Sequence, residues 1–138
     1  MTDYQVSVWK YILPPAVIAL IIFYLSCLIP PNDVPDVDFD FFIPMDKLVH
    51  FSMYLGLAGI ASFNYIFVAK GNINICRMLI FAVLLPILYG GTIEILQENF
   101  FNREGDWYDF LANCLGAFSA IPLSFGFRKI LREKLASS

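Results

Sequence analysis

The spacing of its apolar runs constrains this chain more than any other feature. Residues 11–29, 48–69, 78–97 and 107–127 form four long apolar stretches separated by short polar segments. A helix of about 20 apolar residues crosses a hydrocarbon core of about 30 Å. Of 138 residues, 59% are hydrophobic and 15% are charged, whereas soluble domains carry about 25% charged residues. A water-soluble fold of this size could not hide so much apolar surface. The pattern predicts an all-α integral membrane bundle of about four transmembrane helices, forming one domain over residues 1–138.

Lys10 ahead of the first stretch also has the form of a signal segment. That run is longer than a usual signal core, and Ile29-Pro30-Pro31 is a poor cleavage site. Tyr24-Leu25-Ser26-Cys27 resembles a lipoprotein cleavage box only faintly, because an aliphatic residue is expected at Tyr24. Pro14 and Pro15 are expected in the first turn of the first span, where proline costs little. Pro30, Pro31, Pro35 and Pro44, with Asp33, Asp36, Asp38 and Asp40, make residues 30–46 a loop. Pro86 predicts a kink in the third span, with the carbonyl of Ala82 freed. Cys27, Cys76 and Cys114 are far apart and odd in number, and suggest neither a disulfide framework nor a zinc site.

Charge sets the expected orientation. Lys10, Lys70, Arg77, Arg128, Lys129, Arg132 and Lys134 fall on one side of a four-span scheme. The other side holds the acidic loop with Asp46, Glu98, Glu104, Asp106 and Asp109, and only Lys47 and Arg103 as basic residues. The positive-inside rule makes both termini cytoplasmic. The basic tail is an orientation signal that also meets anionic membrane lipids, and no nucleic-acid partner is indicated.

Polar residues gather at the acidic ends of the spans. Asp46, Lys47, His50 and Tyr54 follow one another on the second, Glu94 and Gln97 close the third, and Asp106, Asp109 and Asn113 open the fourth. Asp109, Asn113, Gly116 and Ala120 share one helical stripe, as do Pro86, Gly90, Glu94 and Gln97. Ionisable groups at membrane depth are costly and usually face one another or a wet cavity. One reading has them only bridging helices, at modest gain. The convergence of so many, of both charge signs, predicts instead a polar pocket that opens outward. His50 with Glu94 or Asp109 could act as an acid–base set. Arg103 either pairs with its loop neighbours or clamps a phosphate or carboxylate. One histidine with two carboxylates is a thin basis for a metal site, and no Gly-rich phosphate loop or cofactor motif occurs.

Taken in order, Asp46-Lys47-Leu48-Val49-His50-Phe51, then Tyr54, then Gly90 with Glu94 and Gln97, then Arg103, Asp106, Asp109 and Asn113-Cys114-Leu115-Gly116 resemble the motifs of the VanZ-like membrane family. Ser26 followed by Pro30 also resembles that family's first-helix ending. The resemblance implies a multi-pass protein of the bacterial cytoplasmic membrane, linked to glycopeptide (teicoplanin) resistance. It supports fold, location and site more than a reaction. Three functions are expected to compete. The first is binding or handling of an amphiphilic envelope molecule, lipid-linked or a lipoglycopeptide, by Asp46, Lys47, Tyr54, Gln97, Arg103, Asp106 and Asn113 with His50, Glu94 and Asp109. The second is a membrane enzyme acting on a lipid head group, with His50, Glu94 and Asp109 as acid–base groups. The third is a structural or accessory subunit with a membrane-protein partner.

Overall fold

The computed structural model describes residues 3–29, 44–101 and 105–137, with side chains from residue 8 onward. The acidic loop and Arg103 lie outside the described residues. Four helices, each long and apolar enough to cross a membrane, make up an all-α bundle, and no strand occurs among the described residues. Helix α1 (Asp3–Phe23) runs on into a π-helical turn, Tyr24–Leu28. Helix α2 is Met45–Val68. Helix α3 (Ile75–Phe100) is α-helical over Ile75–Leu79, π-helical over Ile80–Leu84 and α-helical again over Leu85–Phe100. Helix α4 is Trp107–Ala136.

Helix α1 starts well before the expected boundary, so Pro14 and Pro15 lie inside the helix and not in its first turn. The drop in hydropathy at Lys10 marks the end of the apolar run, but it does not end the helix. A mid-helix proline leaves the carbonyl four residues earlier without its N–H. Those carbonyls belong to Lys10 and Tyr11, and Asn64 of α2 takes both: its Nδ2 donates to Lys10 O at 2.7 Å and to Tyr11 O at 3.1 Å. The proline pair is thereby turned into a tie between α1 and α2. At Pro86 the interruption takes the form of the preceding π-helical turn, in which Leu85 N–H reaches back to Ile80 O. Helix α4 also runs past Phe127, the expected end of its apolar run, and carries most of the basic tail as helix. Lys70 and Gly71 both have positive φ in the turn between α2 and α3. Arg128 Nε donates to the Gly71 carbonyl at 3.0 Å, which holds that turn against α4.

Helices α2 and α4 form the central pair. They run parallel, as a two-span connection requires, with a nearly constant offset: Lys47 meets Asp109, His50 meets Asn113 and Ser62 meets Ser124, 62 or 63 residues apart. Small residues fill the contact. Ala58, Ala117 and Ala120 pack together with Val83 of α3. The Ser62 and Ser124 hydroxyls lie 2.6 Å apart, and each also lies within reach of a carbonyl of its own helix. One hydroxyl donates to the other, which in turn donates to its helix carbonyl, so both are satisfied in hydrocarbon. At Gly116 the backbones themselves touch. A Cβ there would run into the Phe51 carbonyl oxygen and lie 2.9 Å from Leu55 N. This is the close approach that small residues permit between membrane helices. Helix α1 packs on α2 through Ile22 and Leu57, and Tyr89 of α3 donates to Ala19 O at 2.6 Å.

Gly116→Ala should therefore push α2 and α4 apart and cost about 1–3 kcal/mol, the usual penalty for overpacking. Gly126 has open space around its would-be Cβ, so Gly126→Ala should be neutral or slightly stabilising. Thermal unfolding midpoints of the two variants in one detergent test the contrast. Equal midpoints would remove Gly116 from the contact.

Candidate functional site

The parallel α2/α4 register brings the N-terminal turns of both helices together at the acidic end. Carboxylates suit helix N-termini, because the dipole there is positive. Asp106 caps α4, its Oδ1 accepting the Tyr108 N–H at 2.8 Å. Asp46 and Asp109 occupy the first turns of α2 and α4. Lys47 answers all three: its Nζ donates to Asp106 Oδ2 at 2.5 Å, to Asp109 Oδ1 at 2.6 Å and to Asp46 Oδ2 at 2.9 Å. Its side chain is only 18% exposed, so the ion pairs are partly withdrawn from solvent screening. With three carboxylates around it, the ammonium has no hydrogen left over for an external phosphate.

One turn deeper lies His50. Its Nδ1 is 3.1 Å from Asn113 Oδ1 and 3.8 Å from Glu94 Oε1, and its Nε2 is 3.6 Å from Asp109 Oδ2. An amide oxygen only accepts, so Nδ1 carries the hydrogen of the His50–Asn113 bond. The Asn113 amide then donates to Glu94 Oε1 at 3.3 Å, and Glu94 Oε2 accepts the Asp106 N–H at 3.4 Å. Glu94 is 9% exposed and Asn113 is fully buried. Lys47, His50, Glu94, Asp106, Asp109 and Asn113 thus form one connected polar network across α2, α3 and α4, with Asp46 joined through Lys47.

Two expected members stand apart from it. Gln97 turns to the other side of α3, where its Nε2 donates to Ser26 O in the π-helical turn of α1 at 2.8 Å. It anchors α1, because the π turn offers a carbonyl just where α3 passes. Tyr54 lies beneath the network and is fully buried. Its ring edge would stand 3.0 Å from a Cβ at Gly90, with the Asn113 amide at 3.2 Å, so this glycine makes room for both. The Tyr54 hydroxyl has no hydrogen-bond partner among the described residues. Arg103 lies outside the described residues. Among the described residues, no three His, Cys, Asp or Glu side chains come together as metal ligands would.

A cleft of about 220 Å³ opens beside the network between α3 and α4. Gly91, Ile95, Trp107 and Phe110 form its apolar side, while Glu94, Glu98, Gly105 and Asp106 form its polar end. Glu94 and Asp106 belong to both network and cleft. Gly91, Ile95 and Glu98 follow one another at helical spacing, a signal that could have revealed this second face of α3. Sequence reading centred on the Pro86–Gly90–Glu94–Gln97 stripe and missed it. Trp107, 83% exposed, stands at the rim with its ring edge-on to Phe110.

The comparisons with known proteins return no match: no family model, curated protein or solved structure matches the chain.

Asp106 lies just ahead of the α4 span, and its carboxyl is held below the ordinary value of 3.8, first by the hydrogen bond from Lys47 and then by the Tyr108 N–H. A carboxyl pKa depressed on folding adds stability above its unfolded value, and that stability is lost as pH falls through the folded one. The Lys47–Asp106 contact should thus be intact above about pH 4 and weaken only in stronger acid. Lys47→Met should move the Asp106 titration up toward 3.8, followed by the side-chain carboxyl carbon resonance. An unmoved titration would assign the depression to the Tyr108 N–H alone.

Proposed function

We propose that this chain is a membrane-embedded binding protein for an amphiphilic envelope molecule, and that the cleft between α3 and α4 receives it. The single observation that carries this reading is the continuity of the cleft. An apolar wall of Ile95, Trp107 and Phe110 leads directly to Glu94 and Asp106, which are tied into the Lys47–His50–Asn113 network. A ligand with a tail and a polar head meets the matching chemistry in one continuous groove. Binding sites combine apolar walls with a few fixed polar groups in this way. The proposal takes both termini as cytoplasmic, on the charge split, so the polar end faces the outer leaflet. The motif resemblance to the VanZ-like family suggests a lipid-linked or lipoglycopeptide ligand and a link to glycopeptide resistance in a bacterial cytoplasmic membrane.

A second reading has its own support. His50 is held by Asn113 and stands between Glu94 and Asp109, the kind of oriented imidazole that acid–base catalysis on a head group requires. His50→Gln would separate the two: a binding protein keeps its ligand with reduced affinity, whereas an enzyme accumulates uncleaved substrate.

Glu94→Gln tests the main reading. Glutamine keeps the shape and one acceptor, so the fold should lose only about 0.6 kcal/mol, the typical worth of a buried polar contact between membrane helices. Wild-type protein extracted in native-lipid discs should carry an enriched amphiphile, identified by mass spectrometry. The variant should carry about tenfold less, equivalent to about 1.4 kcal/mol. Identical lipid profiles at equal thermal stability would leave Glu94 a helix bridge and end the binding proposal.

A further inference from the structure

We propose that the cleft selects an amphiphile with a positively charged ammonium head, and not a phosphate or carboxylate. This rests on the amphiphile reading above and specifies its ligand. Two features of the cleft point to a cation.

Charge balance comes first. Among the described residues that line the cleft, Glu94, Glu98 and Asp106 are acidic and none is basic. Lys47 is consumed internally by its three aspartates. An anionic head entering the cleft would meet Glu94, Glu98 and Asp106 with no described cation free to receive it. The same three aspartates hold the Lys47 ammonium at 2.5 to 2.9 Å, so an ammonium is the very group this end of the bundle already binds.

The second feature is position and wall chemistry. Glu98 lines the cleft, is exposed, and has no ion-pair or hydrogen-bond partner among the described residues. It lies in the last turn of α3, which ends at Phe100, where the helix dipole is negative and a cation is favoured. Opposite stand the Trp107 and Phe110 rings. Aromatic faces attract ammonium groups, tryptophan most strongly. Carboxylates on one side and aromatic rings on the other form a receptor for an alkylated ammonium. Ile95 and Gly91 continue the apolar wall on which its tail would lie.

The test uses the full chain with Trp9→Phe, which leaves Trp107 as the only tryptophan of the two. The protein is held in discs of a neutral glycosyl diacylglycerol that carries neither amine nor phosphate. Four probes are titrated against Trp107 fluorescence: dodecylammonium, dodecanol, dodecyl phosphate and tail-less ethanolamine. Dodecylammonium should saturate the signal about tenfold more tightly than dodecanol, and Glu98→Gln should remove about that factor while leaving dodecanol unchanged, one charge contact being equivalent to about 1.4 kcal/mol. Glu98 is exposed and has no partner among the described residues, so the variant should fold as the parent does, which its thermal unfolding midpoint checks. Saturable but equal binding of dodecylammonium and dodecanol would overturn the ammonium inference and leave the amphiphile cleft standing. Tightest binding by dodecyl phosphate would overturn it in favour of an anion site. Ethanolamine binding as tightly as dodecylammonium would overturn the role of the tail. No saturable response to any probe would overturn both this inference and the binding function on which it rests.

Discussion

The backbone contact at Gly116 is the constraint on which the rest of the structure depends. Without a Cβ there, α4 lies directly on the Phe51–Leu55 turn of α2. That contact fixes the parallel register, and the register fixes which polar groups meet. Above it, Asn113 falls against His50, and Asp106 and Asp109 against Lys47. Below it, alanines interleave and Ser62 finds Ser124. In lipid no hydrophobic force drives one apolar helix onto another, so packing and internal hydrogen bonds must hold the pair. The polar residues of the network therefore act as structural ties between α2, α3 and α4.

Helix α3 carries two distinct faces through this arrangement. One presents Pro86, Gly90, Glu94 and Gln97 to the interior, all of them buried. The other presents Gly91, Ile95 and Glu98 to the cleft. Glu94 stands on the boundary, with Oε1 bound to Asn113 and Oε2 to the backbone of Asp106. Through these two bonds Glu94 joins the cleft wall to the His50–Asn113 pair and to the Lys47–Asp106 pair. The fully buried Tyr54 hydroxyl lies beneath the network and has no hydrogen-bond partner among the described residues.

Much of this was legible in the chain. Apolar length gave the four spans, since hydrocarbon thickness dictates helix length directly. The stripe Asp109–Asn113–Gly116–Ala120 gave the inward face of α4, because small and polar residues recur there at helical spacing. Other features depend on partners that no local pattern names. The role of Asn64 follows from prolines some fifty residues away in α1. Gln97 shares its stripe with Glu94 yet serves α1, because the π-helical turn at Tyr24–Leu28 offers a carbonyl only in three dimensions. The cleft depends on Trp107 and Phe110 lying beside Gly91 and Ile95, which only the packing of α3 against α4 brings about. The saturation of Lys47 by three aspartates likewise needs the α2/α4 register, because Asp106 and Asp109 lie some sixty residues away in the chain.

The decisive measurement is the density held in the α3/α4 cleft when the chain is imaged in native-lipid discs. Elongated density is expected along Gly91, Ile95, Trp107 and Phe110, with its polar end about 3 Å from the Glu94 and Glu98 carboxylates, and with His50 still bonded to Asn113. A cleft filled by the chain's own side chains, or density whose polar end lies away from Glu94 and Glu98, would contradict it.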